Sequence, residues 1–216
     1  GITTSEEKRR AVYEIARRHS VVILEDNPYG ELRFAGEDVP TIKSMDEDGI
    51  VVYCSSFSKI LSAGMRVGFV VANSTICAKM TVAKQGEDVH TNIFFQMLCH
   101  RFMTECDLDG HIAGINKLYG EKCSLMLSTL DECMPEEIKY TRPEGGLFIW
   151  VELPEHLNAL ELMSKCVERG VGYVPGTHFF AEGGHHNTLR LNFSNSTVEQ
   201  IHQGMAVIRE VIAEAS

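Results

Sequence analysis

Residues 50–72 read IVVYCSSFSKILSAGMRVGFVVA. Two apolar runs, IVVYC (50–54) and VGFVVA (67–72), flank a polar stretch holding Ser55, Ser56, Ser58, Lys59 and Arg66. Short runs of this kind, rich in β-branched residues and bounded by turn residues, read as buried strands. A strand that emerges into hydroxyls and then a cation is unusual for a purely structural turn. It suits a place where a phosphate-bearing group is held and where Lys59 can bond to it.

The flanking sequence extends the pattern. VVILED (21–26) is another continuous apolar run, expected to be a strand covered on both faces of a parallel-type sheet, and NPYG (27–30) is a turn. Before it, TTSEEKRRAVYEIARRH (3–19) carries a helix start signal and the apolar positions Ala11, Val12, Ile15 and Ala16 at helical spacing. Residues 74–104 and 108–134 read as two long helices, the first broken near Gly86, and Pro135 ends the second. IKYTRPEGGLFIWVELP (138–154) then reads as two short strands around a turn. A helix follows over 158–170, strands over 171–176 and 188–194, and a closing helix over 197–215 with Thr197 as its cap. The fold class is therefore α/β. Residues 1–120 are expected to be the carboxyl-terminal part of a larger sheet domain with about three strands, and residues 121–216 a small α/β domain, the two joined by long helices. A three-stranded sheet leaves edges open, so further strands are expected to precede residue 1.

Composition narrows the function classes. The 216 residues carry 30 acidic and 20 basic side chains, a net charge of −10, which argues against nucleic acid or an anionic membrane as the main partner. Seven cysteines without a C-x-x-C pair read as free thiols of a reducing compartment, and no apolar run is long enough to span a bilayer, so the expected location is the cytoplasm. Nine histidines show no ligand spacing; His185 and His186 read as a polar loop tip, and no metal is expected.

The polar groups at the strand ends suit one chemistry. Pyridoxal phosphate needs a lysine amine for its aldehyde, a carboxylate for its ring nitrogen, and hydroxyls with a fixed cation for its phosphate. Lys59, Asp26, Ser56, Ser58 and Arg66 are these residue types, and Tyr29 could hydrogen-bond the ring hydroxyl. In open α/β sheets such groups collect at the carboxyl ends of strands. Each residue alone also has a bland reading, as a cap, a turn residue or a solvated cation.

Taken in order, these segments resemble the fold type I pyridoxal-phosphate enzymes of the class I/II aminotransferases. The similarity is to the branch of kynurenine and 2-aminoadipate aminotransferases and the aminotransferase-like domains of MocR-type regulators. S-F-S-K-x-L-x-x-G-x-R-x-G is similar to the family's cofactor-lysine segment, VVILEDNPYGELRF to its Asp and Tyr segment, RPEGGLFIWVELP to its G-G-x-F-x-W segment, VPGTHFF to its P-G-x-x-F segment and NTLRLNFS to its R-L-N-F segment. Ala63 stands where many relatives have proline.

The resemblance implies amino transfer from an amino acid to a 2-oxo acid. Lys59 would be the covalent and proton-moving lysine, Arg190 the clamp for the substrate α-carboxylate, and the assembly a homodimer. It also implies that the phosphate loop and the ring-stacking aromatic lie before Gly1, so that the chain is a carboxyl-terminal fragment expected to have little activity alone. Two alternatives on the same scaffold stay open: a ligand-sensing domain of a MocR-type regulator, and a lyase or decarboxylase.

Overall fold

The computed structural model describes residues 1–215. Helix α1 (Glu6–Arg18) starts where the Ser5 hydroxyl accepts the Lys8 N–H, with Glu6 and Glu7 in its first turn and Arg17 and Arg18 in its last. Those charges oppose the helix dipole at both ends. Its buried residues are Tyr13 and Ala16, while Val12 and Ile15 of the expected apolar stripe are exposed.

Strands β1 (Ile23–Asp26), β2 (Val51–Ser56) and β3 (Gly68–Val71) form a sheet in that order. β1 and β2 are parallel, with Ile23 opposite Val51 and Asp26 opposite Cys54. β3 runs antiparallel to β2, which corrects the expectation of a parallel-type sheet. The reason is connection length: the segment between β2 and β3 is too short to cross over, and only a hairpin-like return fits. β1 is also not covered on both faces, since Leu24 is 68% exposed.

The stretch 74–104 is two helices, α2 (Ser74–Glu87) and α3 (Ile93–Glu105), so the break expected near Gly86 falls a few residues later and Gly86 itself lies inside α2. Val89 has a positive φ of 65°, which no helix tolerates, and Asn92 caps α3 by accepting the Phe94 N–H. Helix α4 (Leu108–Cys133) follows.

The second sheet is antiparallel throughout. It comprises β4 (Lys139–Tyr140), β5 (Phe148–Glu152), β6 (Val174–Pro175) and β7 (Thr188–Asn192) in the order β4-β5-β7-β6. Ile149 pairs with Leu191 and Val151 with Leu189, and all four are buried. The alternate residues Phe148, Trp150 and Arg190 belong to the opposite face, because side chains alternate along a strand. Helix α5 (Ala159–Glu168) is capped by Asn158 and stopped at Gly170, whose φ is 81°. Helix α6 (Val198–Ala213) opens with a capping box between Thr197 and Gln200 and buries Ile201, Met205, Ile208, Val211 and Ile212.

The chain divides into two compact units, Thr4–Ile115 and Asn116–Ser216 with Gly1–Thr3. Among the described residues no helix is long and apolar enough to cross a membrane.

Candidate active site

The parallel pairing of β1 and β2 brings their carboxyl ends to one edge of the sheet. Asp26 closes β1 there. Beyond it, the Asn27 N–H donates to the Cys54 carbonyl at 2.9 Å, and the Ser55 hydroxyl donates to the Asn27 carbonyl at 3.0 Å. The Asn27 side chain lies 3.3 Å from the Tyr53 hydroxyl. These bonds fix the direction in which the chain leaves β1 toward Tyr29. Burial pushes the Cys54 thiol pKa up, and the negative charge of Asp26 adds to the effect. Asp26 and Cys54 are register partners across the two strands.

β2 runs straight into the lysine turn. The Ser58 N–H donates to the Ser56 hydroxyl at 3.0 Å, and the two hydroxyl oxygens are 2.7 Å apart. The turn over Ser58–Ser62 is of the wide π type, with both Leu61 and Ser62 N–H groups donating to the Phe57 carbonyl at 2.8 and 3.1 Å. Such wide turns concentrate at functional sites. Beneath it, Phe57, Met65, Val67 and Cys99 form a buried cluster, with Ile60, Leu61 and Phe95 packed on it. Lys59 projects from this turn with its ammonium 5.7 Å from the Tyr29 ring centroid.

Arg66 follows in the left-handed region, at φ 54° and ψ 39°, and its guanidinium donates to the Ala63 carbonyl at 3.3 Å. A non-glycine residue held there carries of order 1–2 kcal/mol of strain. Asp26, Tyr29, Ser56, Ser58, Lys59 and Arg66 all belong to the Thr4–Ile115 unit. Arg190 belongs to the other.

Arg190 sits on β7 opposite both Trp150 and Val174. Its guanidinium carbon lies 3.9 Å from the Phe148 ring centroid and 4.8 Å from that of Phe179. Its Nε is buried and has no hydrogen-bond partner among the described residues. A guanidinium packed against two aromatic rings, with Nε still able to donate, suits a carboxylate that takes two parallel bonds.

Pro175 and Gly176 bring the Phe179 segment in. A side chain at Gly176 would meet the Trp150 ring at 2.8 Å, so glycine is required for this close approach. Trp150 packs edge-on to Phe179 and Phe180, with centroids 5.6 and 6.0 Å apart.

Sequence reasoning gave Asn27 no role beyond a turn, and it gave none to Phe148 and Phe179 although they are the aromatic positions of the G-G-x-F-x-W and P-G-x-x-F segments. Period-2 alternation along β5 and β7 could have placed Phe148 on the face of Arg190. His185 stacks on Phe180 at 3.9 Å between centroids, and His185 and His186 are both exposed. Among the described residues no group of three or more His, Cys, Asp or Glu could hold a metal ion.

Residues 1–208 match the family described as aminotransferase class I and II. The chain is 42% identical over 214 residues to aromatic-amino-acid aminotransferase 1 of Thermococcus litoralis, covering 99% of this chain and 51% of that protein. It is 33% identical over 215 residues to the uncharacterized HTH-type transcriptional regulator YjiR of Escherichia coli, covering 100% of this chain and 46% of the regulator. The crystal structure of Pyrococcus horikoshii kynurenine aminotransferase, in complex with PMP, superposes with a TM-score of 0.95 at 40% identity, over 99% of this chain and 53% of that one. The chain thus spans about half the length of the relatives it matches. With the family match running over nearly all of it, this chain belongs to the class I and II aminotransferases.

Proposed function

We propose that the protein transfers an amino group from an amino acid to a 2-oxo acid with pyridoxal phosphate as cofactor. The observation that carries the reading is the meeting of Asp26, the Ser56–Ser58 hydroxyl pair and the Lys59 turn at the ends of two adjacent parallel strands. The residue types fit the cofactor. Asp26 would pair with the ring nitrogen and keep it protonated, and Tyr29 would hydrogen-bond the ring hydroxyl. Ser56 and Ser58 would donate to the phosphate, and Arg66 would supply its counter-charge. Bound there, pyridoxal phosphate supplies an electron sink for negative charge at the substrate α-carbon.

The chain's own residues carry the remaining roles. Lys59 would hold the cofactor through its side-chain amine, and that amine would serve as the base that moves the substrate α-proton. Arg190 binds the substrate α-carboxylate, and the rings of Phe148 and Phe179 pack against its guanidinium and keep water from it. Residues 1–120 act as part of the cofactor-binding domain and 121–216 as the small domain. The protein works as a homodimer in the cytoplasm, on amino acid and 2-oxo acid substrates.

The test is borohydride reduction of the full-length protein with pyridoxal phosphate, followed by peptide mapping. Label at Lys59, lost in Lys59→Ala together with the visible absorbance, is the expected result. Label on another lysine sinks the assignment.

One observation favours a second reading: the similarity to a transcriptional regulator runs over the whole chain. A full-length protein that binds the cofactor and DNA, yet turns over no amino acid, would select that reading.

A further inference from the structure

The lysine turn is held from a distance by a residue that the reaction does not use. Because the turn over Ser58–Ser62 is wide, its carbonyls are offset from the regular helical donors. The Ile60 carbonyl, next to Lys59, lies 2.8 Å from Nε2 of His111, fifty-one positions along the chain. A carbonyl only accepts, so the imidazole must carry its proton on Nε2.

His111 is itself well placed. It lies in the first turn of α4, where its N–H donates to the Asp107 carbonyl at 3.0 Å and the Asp107 carboxylate accepts the Gly110 N–H at 2.9 Å. A side chain at Gly110 would collide with that carboxylate, so the D-x-x-G-H spacing is what lets the turn close. The Phe102 ring meets the imidazole edge-on, with centroids 5.2 Å apart, and sets its plane. The ring therefore arrives oriented from one side by α3 and from below by its own helix start.

We propose that His111 is a positioning residue for Lys59: its Nε2–H, donated to the Ile60 carbonyl, fixes the turn that aims the lysine amine. The inference rests on the reading of Lys59 as the cofactor lysine. The Phe57–Val67 cluster supports the turn's apolar side but cannot set its rotation, since apolar packing is non-directional. A single hydrogen bond at the carbonyl after Lys59 can. A base displaced by a fraction of an ångström loses much of its rate, up to roughly 100-fold per ångström.

The experiment compares His111→Gln with His111→Asn in the full-length protein. The glutamine amide reaches the Nε2 position and keeps the donor. The asparagine amide is a polar group of similar character that falls short. Three quantities are read: amide hydrogen exchange across residues 57–63 without cofactor, the pH midpoint of the visible band of the loaded protein, and kcat against KM for the amino acid.

His111→Gln is expected to match the wild type within about 3-fold in each rate. His111→Asn is expected to speed exchange at Leu61 and Ser62 by roughly 10-fold or more. It should also displace the band midpoint and lower kcat by about 10- to 100-fold, with KM little changed. If both variants lower thermal stability equally and leave exchange and band midpoint at wild-type values, His111 is merely structural and the proposal is overturned. If borohydride labels a lysine other than Lys59, the reading of the site fails instead. Lys59 labelled, with asparagine and glutamine indistinguishable, defeats the positioning role alone.

Discussion

Ile149 of β5 and Leu24 of β1 are both aliphatic side chains on short strands, yet Ile149 has 0% exposure and Leu24 has 68%. The contrast runs through the two units. In the Asn116–Ser216 unit, β5 and β7 present Ile149, Val151, Leu189 and Leu191 to one face, and Phe193 beyond β7 is also fully buried. α6 contributes a regular stripe from Ile201 to Ile212. In the Thr4–Ile115 unit, Val22, Leu24, Phe69 and Val71 around the sheet are exposed, as are Val82 of α2 and Phe94 and Met97 of α3. The first unit closes its own core. The second carries core-type residues that stay exposed. Large apolar patches of that kind mark surfaces that pack against something further.

The largest effect expected from this difference is in the core of the closed unit. Phe193→Ala should cost about 3–5 kcal/mol, because a fully buried ring leaves a cavity that β5, β7 and α6 cannot collapse into. Trp150 is the chain's only tryptophan and lies on β5, so its fluorescence during urea unfolding reads this unit selectively. A loss under 1 kcal/mol would mean that this core is not the closed one.

Asp46→Ala comes next and tests the other unit. The Asp46 carboxylate is fully buried and accepts the Ile50 and Val51 N–H groups at 3.0 Å and the Lys43 ammonium at 2.8 Å, so it locks the entry to β2. Removing it should cost about 2–3 kcal/mol by leaving two amides unpaired and taking the counter-charge from the Lys43 ammonium, which keeps only the Val51 carbonyl at 2.9 Å. Hydrogen exchange along β2 is the readout. Burial alone would raise the Asp46 pKa, but the hydrogen bonds from Lys43 and the two amides outweigh it and hold it below the usual carboxylate range. Its stabilisation is therefore present above the unfolded carboxylate pKa and lost as the pH falls through the lower folded value.

An alkaline counterpart belongs to the closed unit. Burial pushes the Cys123 thiol up to about 11. A raised pKa stabilises the fold below the unfolded thiol value and is lost as pH climbs through the folded one. The Trp150-reported unit should thus lose up to about 1.4 kcal/mol per pH unit from this group above the ordinary thiol range. Cys123→Ala should flatten that slope.

The smallest effect is the sharpest test of openness. Leu24→Ser should change the stability of this chain by no more than about 0.5 kcal/mol, as exposed positions do, while reducing self-association in sedimentation velocity. A cost of 2 kcal/mol or more at that position, on the scale of lost core burial, would show that Leu24 is covered after all.

Much of this was legible in the one-dimensional chain, for local reasons. The helix starts at Ser5, Asn158 and Thr197 follow from hydroxyl and amide caps, and Gly170 stops α5 because only glycine takes its positive φ cheaply. The apolar runs ending in Asp26 and Ser56 marked β1, β2 and the polar groups at their ends, because a buried strand must surrender its polar residues at its termini. Residue order also carried the lysine turn, its hydroxyls and the arginine that follows.

Tertiary structure decided what depends on partners distant in sequence. The direction of β3 depends on its pairing with β2 across the intervening turn. Which apolar residues are buried was settled by what packs over them: VVILED has the composition of a doubly covered strand, but β1 keeps Leu24 exposed. The aromatic packing on Arg190 joins residues from β5, β7 and the segment after β6, and the His111 bond to Ile60 links a helix start to a turn fifty-one positions away. Short-range propensity acts over a few residues, so the sequence by itself determined most of the elements and where their polar residues fall. Long-range pairing acts only once the chain has closed on itself, and it alone decided which faces meet and which side chains are held in place.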